Sequence, residues 1–178
     1  TLKMRTGWAN DQCNAPAIAH MAEQAGVAMV TVHGRSRQQG YGGAAEYATV
    51  AAIKTALKIP VVANGDIDSP EKAAQVLQHT GADALMVGRA AMGRPWIFRE
   101  IAHYLSTGQH LPPPTVAEVR SALQAHLRDH YALYGEHGGV RSARKHIGWA
   151  VRSLPGGEVF RQAMNAINEV DRQVAAVS

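Results

Sequence analysis

Two short apolar runs constrain this chain more than any other feature. They are Val61-Val62-Ala63-Asn64-Gly65-Asp66-Ile67 and Ala84-Leu85-Met86-Val87-Gly88-Arg89-Ala90. Neither has a helical period. Each stops abruptly at a glycine beside a polar or charged residue, and each is followed by a helix-like pattern. A buried parallel strand reads this way, with a functional loop at its carboxyl end. Two such units in succession are the usual phosphate grip of a TIM (β/α)8 barrel, built by the loops after its last two strands.

The rest of the chain repeats the same unit. Thr1-Leu2-Lys3-Met4-Arg5-Thr6 alternates, with Leu2 and Met4 on one face and Lys3 and Arg5 on the other, and Gly7 ends it. A helix is expected over residues 14–25, with Ile18, Ala22 and Ala25 on one side and Gly26 as its stop. Residues 28–32 read as a second strand ending in His33-Gly34-Arg35, followed by a glycine-rich loop over 38–45. Residues 46–57 are helical, with Tyr47, Val50, Ile53 and Leu57 in register, and 59–63 form the third strand. Ser69 and Pro70 cap and open the next helix, which Gly81 closes. A fourth strand over 83–87 leads to a helix from Pro95 to about Thr107, with Ile97, Ile101, Tyr104 and Leu105 inward and Gly108 after it. Four βα units predict an α/β fold with a parallel sheet, the C-terminal half of a TIM barrel.

A half barrel leaves two bare strand edges, through which dimerisation or swapping is expected. The chain also opens on Thr1, inside a strand. Both features lead to the expectation of a piece of a longer protein. Leu111-Pro112-Pro113-Pro114 marks a boundary, because three prolines make a stiff connector that no helix crosses. The domains are therefore expected at 1–110 and 115–178. Thr115-Val116-Ala117-Glu118 is a capping box. Its helix continues through Val119, Leu123 and Tyr134, a turn is expected at Gly138-Gly139, and a second helix runs through Val151. Pro155-Gly156-Gly157 breaks that helix, and Phe160, Ile167, Val170, Val174 and Val177 stripe a third, giving a small all-α bundle.

Composition excludes several classes. No apolar run approaches the ~20 residues that span a bilayer, and no secretory signal is visible. The single cysteine, Cys13, excludes an internal disulfide framework and fits a cytoplasmic setting. A formal charge of +4 permits an anionic partner without demanding one.

Polar side chains gather where the strands end: Lys3, His33, Asn64 with Asp66, and Arg89. Gly88 and Arg89 suit a phosphate, since glycine lets backbone approach and arginine forks onto the anion. Asn64, Gly65 and Asp66 could contact the same phosphate or a ribityl hydroxyl. Lys3 could stabilise negative charge on a reduced flavin, or simply snorkel to water. His33 could be a structural strand-end histidine, Asp66 could cap a turn, and Arg35 and Arg37 could belong to a solvated loop. Cys13 reads as a plain small residue. His126 and His130 are spaced to ligate zinc, but Leu127-Arg128-Asp129 between them lacks the metalloprotease glutamate and no third ligand is evident, so no metal is expected. Between Glu136 and Glu158 there is no acidic residue, and Arg141, Arg144 and Lys145 fall on one helix side. Such a patch suits a phosphate backbone.

Five segments resemble the bacterial tRNA-dihydrouridine synthases, the B-type subgroup above all. They are Thr1 to Trp8, Thr31-Val32-His33-Gly34-Arg35-Ser36-Arg37, Ala63-Asn64-Gly65-Asp66-Ile67, the stretch from Gly88-Arg89 to Ile97-Phe98, and Arg141-Ser142-Ala143-Arg144-Lys145-His146. The resemblance implies an FMN enzyme, re-reduced by NADPH, that converts uridine in tRNA to dihydrouridine. It places Lys3 and His33 against the flavin, and Asn64, Gly65, Asp66, Gly88 and Arg89 at its ribityl phosphate. Arg35 falls near the substrate pocket, and Arg141, Arg144 and Lys145 fall on tRNA. The proton-donating cysteine of the family lies on an earlier barrel loop, so no catalytic residue is expected in this chain, which is expected to be inactive alone. The alternatives are a non-catalytic tRNA-binding module, or half a barrel from another FMN- or phosphate-binding enzyme.

Overall fold

The computed structural model describes residues 1–178. By contacts it divides into two compact units, Thr1–Ala91 with Trp96–His110, and Met92–Pro95 with Leu111–Ser178. In the first, β1 (Leu2–Arg5), β2 (Val30–His33), β3 (Val61–Asn64) and β4 (Ala84–Met86) form one parallel sheet in the order β1-β2-β3-β4. They alternate with α1 (Ala15–Gln24), α2 (Ala48–Ala56), α3 (Pro70–Thr80) and α4 (Ile97–Thr107). Strand order that follows chain order, with no reversal point, is barrel winding rather than doubly wound winding. This is half of a TIM barrel.

Register sorts the strand side chains into two faces, because laterally paired residues of a parallel sheet point the same way. Leu2, Val30 and Val61 form one row, and Met4, Val32, Ala63 and Leu85 another. Both pack into a core with Ala19 of α1, Val50 and Ile53 of α2, Ala73 and Val76 of α3, and Ile97 of α4. The alternate rows are Lys3, Thr31, Val62 and Ala84, then Arg5, His33, Asn64 and Met86. The helices thus cover one face, and the polar strand residues share the other. The sequence ended two strands a residue early; His33 and Asn64 are the last residues of β2 and β3.

Two helix faces differ from expectation. On α1 the buried stripe is Ala15, Ala19 and Ala22 while Ile18 is exposed, because small side chains let the helix sit close to the sheet. On α4 Ile97 and Ile101 are buried but Leu105 is exposed. Ser69 caps α3 by accepting from the Lys72 N–H, and Gly81 closes it in the left-handed conformation that glycine adopts without strain.

The second unit comprises α5 (Val116–Val151), α6 (Gly157–Ala166) and α7 (Val170–Val177). The Thr115–Glu118 capping box is formed in both directions. Leu123, Leu127, Ala143, Ile147, Met164 and Val177 make its core. The break in α5 falls at Gly135 (φ +70°, ψ 176°), not at Gly138-Gly139. Gly139 instead lets the two halves of α5 approach, since a Cβ there would lie 3.1 Å from Tyr131 Cδ1. The third helical stripe is also two helices, parted where Ile167 turns extended. Arg144 holds that turn by donating to Ile167 O at 3.0 Å and Asn168 Oδ1 at 2.7 Å. No helix is long and apolar enough to cross a membrane.

Candidate functional site

Arg35 organises the carboxyl rim of the sheet. Its Nη1 and Nη2 donate to the two carboxylate oxygens of Asp66 at 2.8 and 2.6 Å. Nη2 also reaches Gly43 O at 2.7 Å, Nε reaches Gly42 O at 3.2 Å, and Nη1 lies 3.4 Å from His33 Nε2. All five guanidinium protons are thereby directed at partners, and the residue is only 2% exposed. Arg35 is therefore not the solvated loop residue that its sequence context allowed. It clamps the glycine-rich loop to the turn after β3, a job read only from three-dimensional pairing.

Asp66 is equally committed. One oxygen accepts from Arg35 Nη1 and from Arg89 Nη2 at 3.2 Å, the other from Arg35 Nη2 and the Ala45 N–H at 2.8 Å. Burial raises its pKa, but the Arg35 and Ala45 hydrogen bonds and the two guanidinium charges together hold it below the usual carboxylate range. Its backbone is left-handed, with φ +48°, a conformation that aspartate tolerates better than most residues. Gly65 before it has φ +123°, and a Cβ there would lie 2.8 Å from Ala45 Cβ and 3.0 Å from His33 Cδ2. Its carbonyl accepts from Tyr47 OH at 2.6 Å. Asn64 Nδ2 donates to Met86 O at 2.7 Å, tying β3 to β4.

Three residues expected at the site lie at the edge of this clamp, only Arg89 touching it, through Asp66. Gly88 is open, with nothing within 4 Å of where a Cβ would sit. Arg89 begins a 3-10 turn, its side chain is 56% exposed, and it is held by the single 3.2 Å contact to Asp66 and by the Tyr41 ring, 4.9 Å from Cζ. Lys3 is exposed on the uncovered face, in the row beside Thr31. The rim thus has an inner scaffold of Arg35, Asp66, Gly65, Asn64 and His33, and an outer set of Lys3, Gly88 and Arg89 whose polar groups remain available.

In the helical unit Arg141 and Lys145 are exposed, one turn apart on α5. Arg144 is half-buried, and its Nε has no hydrogen-bond partner. A groove runs past Arg144, Lys145, Gly148, Trp149, Arg152 and Arg161. Arg161 is paired with Glu158, which its guanidinium first of all holds down to a pKa of about 2. Arg161 and Trp149 were not singled out in the sequence, because neither shares a motif with the basic run.

The dihydrouridine synthase (Dus) family profile matches residues 1–178. The chain belongs to the dihydrouridine synthase family. It is 58% identical over 175 residues to tRNA-dihydrouridine synthase B of Xanthomonas axonopodis pv. citri, covering 98% of this chain and 53% of that protein. It is 56% identical over 177 residues to tRNA-dihydrouridine synthase B of Pseudomonas aeruginosa, covering 99% of this chain and 53% of the relative. With the Proteus vulgaris protein of the same name the identity is 49% over 177 residues, covering 99% and 55%. The chain spans about half the length of the curated relatives it matches.

Other residues of the chain bear on the rim and the helical unit in ways the sequence did not signal. Arg5 Nη1 donates to Ser36 O and Gly40 O at 2.8 and 3.0 Å, pinning the glycine-rich loop from β1. Tyr47, whose pKa burial and the Asp66 charge push up to about 12, stays a hydrogen-bond donor to Gly65. Cys13 is exposed, its Sγ 3.4 Å from Asn10 O. The expectation of no metal rested in part on the lack of an evident third ligand, and in the fold His146 lies beside His126 and His130.

His33 makes a pH prediction. Burial above all, then the charges of Arg5, Lys3 and Arg35, lower its pKa from 6.5 to about 4. The ring is neutral at pH 7, and because guanidinium only donates, Nε2 facing Arg35 is the acceptor nitrogen. The unfolded chain takes up this proton near pH 6.5 and the folded chain near 4. Between those values the unfolded state holds more protons, so stability is complete above the window and is lost as pH falls through it. The loss is up to about 3 kcal/mol at 1.36 kcal/mol per unit. Urea midpoints near pH 7 and pH 4.5 should differ less in His33→Gln than in the parent; equal differences would refute this assignment.

Proposed function

We propose that this chain supplies the flavin-phosphate grip and the tRNA-gripping helices of an FMN-dependent tRNA-dihydrouridine synthase re-reduced by NADPH. The observation that carries the reading is the division of the rim into a saturated scaffold and an unsaturated outer set. An open glycine and a half-exposed arginine at a strand end fit a phosphate group. The open position beside Gly88 leaves room for the anion, and Arg89 is aimed by Asp66 and Tyr41 while most of its donors remain free. When bound, FMN supplies a two-electron carrier between NADPH and the uracil ring. Gly88 and Arg89 would hold its phosphate, and Lys3 would place a positive charge near the ring. His33 would present a neutral imidazole, with Asn64, Gly65 and Asp66 keeping the strand end in shape.

The helical unit serves the RNA backbone. A uridine must leave its stack to be reduced, and a wall of exposed cations supplies sequence-independent grip. Arg141, Lys145 and Arg152 are the exposed members, whereas Arg144 is mainly a brace for the turn between α6 and α7. With four strands and no proton-donating cysteine assigned, the chain by itself binds and does not turn over.

The test is tRNA binding as a function of salt. The triple variant Arg141→Ala, Lys145→Ala, Arg152→Ala should weaken binding about tenfold to hundredfold, and should lower the steepness of the log K against log salt plot by roughly two to three. The parent chain with FMN and NADPH should form no dihydrouridine in the same samples. Unchanged affinity and slope in the triple variant would overturn the RNA assignment, and turnover would overturn the claim of inactivity.

A further inference from the structure

We propose that His126, His130 and His146 form a binding site for a divalent transition-metal ion of the zinc class, which staples the two halves of α5 across the Gly135 break. His126 and His130 lie one turn apart on the half that covers 116–134, and His146 lies on the half that covers 136–151. Ligand nitrogens of the three rings lie within 4.8 Å of one another. Ring centroids are 5.8 Å apart for His126 and His130, 4.6 Å for His126 and His146, and 5.0 Å for His130 and His146. A tetrahedral ion with nitrogens at about 2.0–2.1 Å sets those nitrogens roughly 3.3 Å apart and the ring centres roughly 5 Å apart. The ring centres therefore already lie near coordination spacing, and the nitrogens, within 4.8 Å of one another, need close by no more than about 1.5 Å to reach it.

The hydrogen bonding around His130 supports this independently. His130 is buried, with Nε2 at 2.7 Å from Ser142 Oγ. The Ser142 hydroxyl donates to Gly138 O at 2.7 Å, so Oγ accepts the proton of Nε2. The bare lone pair of His130 is then on Nδ1. Metal-bound histidines are held in this way, one nitrogen on the metal and the other donating to an oxygen that fixes the tautomer. Three imidazoles with no carboxylate select zinc, copper, nickel or cobalt over magnesium or calcium. His126 is exposed, so water reaches the fourth position. The ion would join elements that only the Gly135 turn connects covalently, so its binding adds to the stability of the helical hairpin.

The full 178-residue chain, stripped with a chelator, should bind one equivalent of Zn2+ by calorimetry. Co2+ should develop the intense visible d–d absorption of a four-coordinate site. His126→Ala removes an exposed ligand that belongs to neither core, and should weaken Zn2+ binding at least about tenfold and abolish the cobalt band. His137→Ala, a control on an exposed histidine outside the trio, should change neither. Zn2+ should raise the melting temperature of the parent and not that of His126→Ala. Equal Zn2+ affinity in parent and His126→Ala, or a pale six-coordinate cobalt spectrum in the parent, would overturn the proposal and leave the trio as packed aromatic rings.

Discussion

Asp66→Asn should destabilise the sheet unit by about 3 kcal/mol, the low end of the range for breaking a buried ion pair. The substitution keeps shape and removes charge. Arg35, 2% exposed, would then be left as a buried cation facing a neutral amide that can accept only part of its hydrogen bonds. The low end applies because the Asp66 side chain is 28% exposed and some water can compensate. Arg89 would lose its only carboxylate contact, so its free donors would no longer be aimed. Arg35→Met in the same background should restore part of the loss, because the orphaned charge is then gone. Urea denaturation of the two single variants and the double variant measures this directly. A loss below about 1 kcal/mol for Asp66→Asn, or losses that simply add in the double variant, would show that the clamp is not a coupled unit.

The sequence carried the architecture well because hydrophobic period and turn chemistry report local structure directly. Leu2 and Met4 against Lys3 and Arg5 divided the two faces of β1 correctly, and Thr115 with Glu118 marked a capping box that is formed. Glycines were harder to read, since one residue type serves two purposes. Gly135 takes a left-handed turn, whereas Gly139 stays helical and provides close approach, and composition does not separate the two. Helix rotation was missed on α1, where alanines rather than Ile18 face the sheet. The site residues were legible as a group because they share strand ends. Their individual states were not: whether a guanidinium is spent, as in Arg35, or free, as in Arg89, depends on a partner 31 or 23 residues away in the chain. The third histidine was hidden for the same reason, lying on the far side of a helix break that sequence placed elsewhere.

Discrimination by flavin phosphate is the second large effect expected. If Gly88 and Arg89 hold that group, a flavin lacking it should lose the charge-assisted bonds that make up most of the grip, each worth roughly 1.5–3 kcal/mol. Arg89→Ala suits the test because its side chain is half-exposed and its loss leaves the Arg35–Asp66 pair intact. The deciding measurement is a fluorescence-quenching titration of the chain with FMN and with riboflavin, repeated on Arg89→Ala. Phosphate recognition through Arg89 predicts that FMN binds about tenfold to hundredfold more tightly than riboflavin, and that Arg89→Ala removes most of this preference while riboflavin affinity stays unchanged. Equal affinities for the two flavins in the parent chain, or a preference for FMN that survives Arg89→Ala, would contradict it.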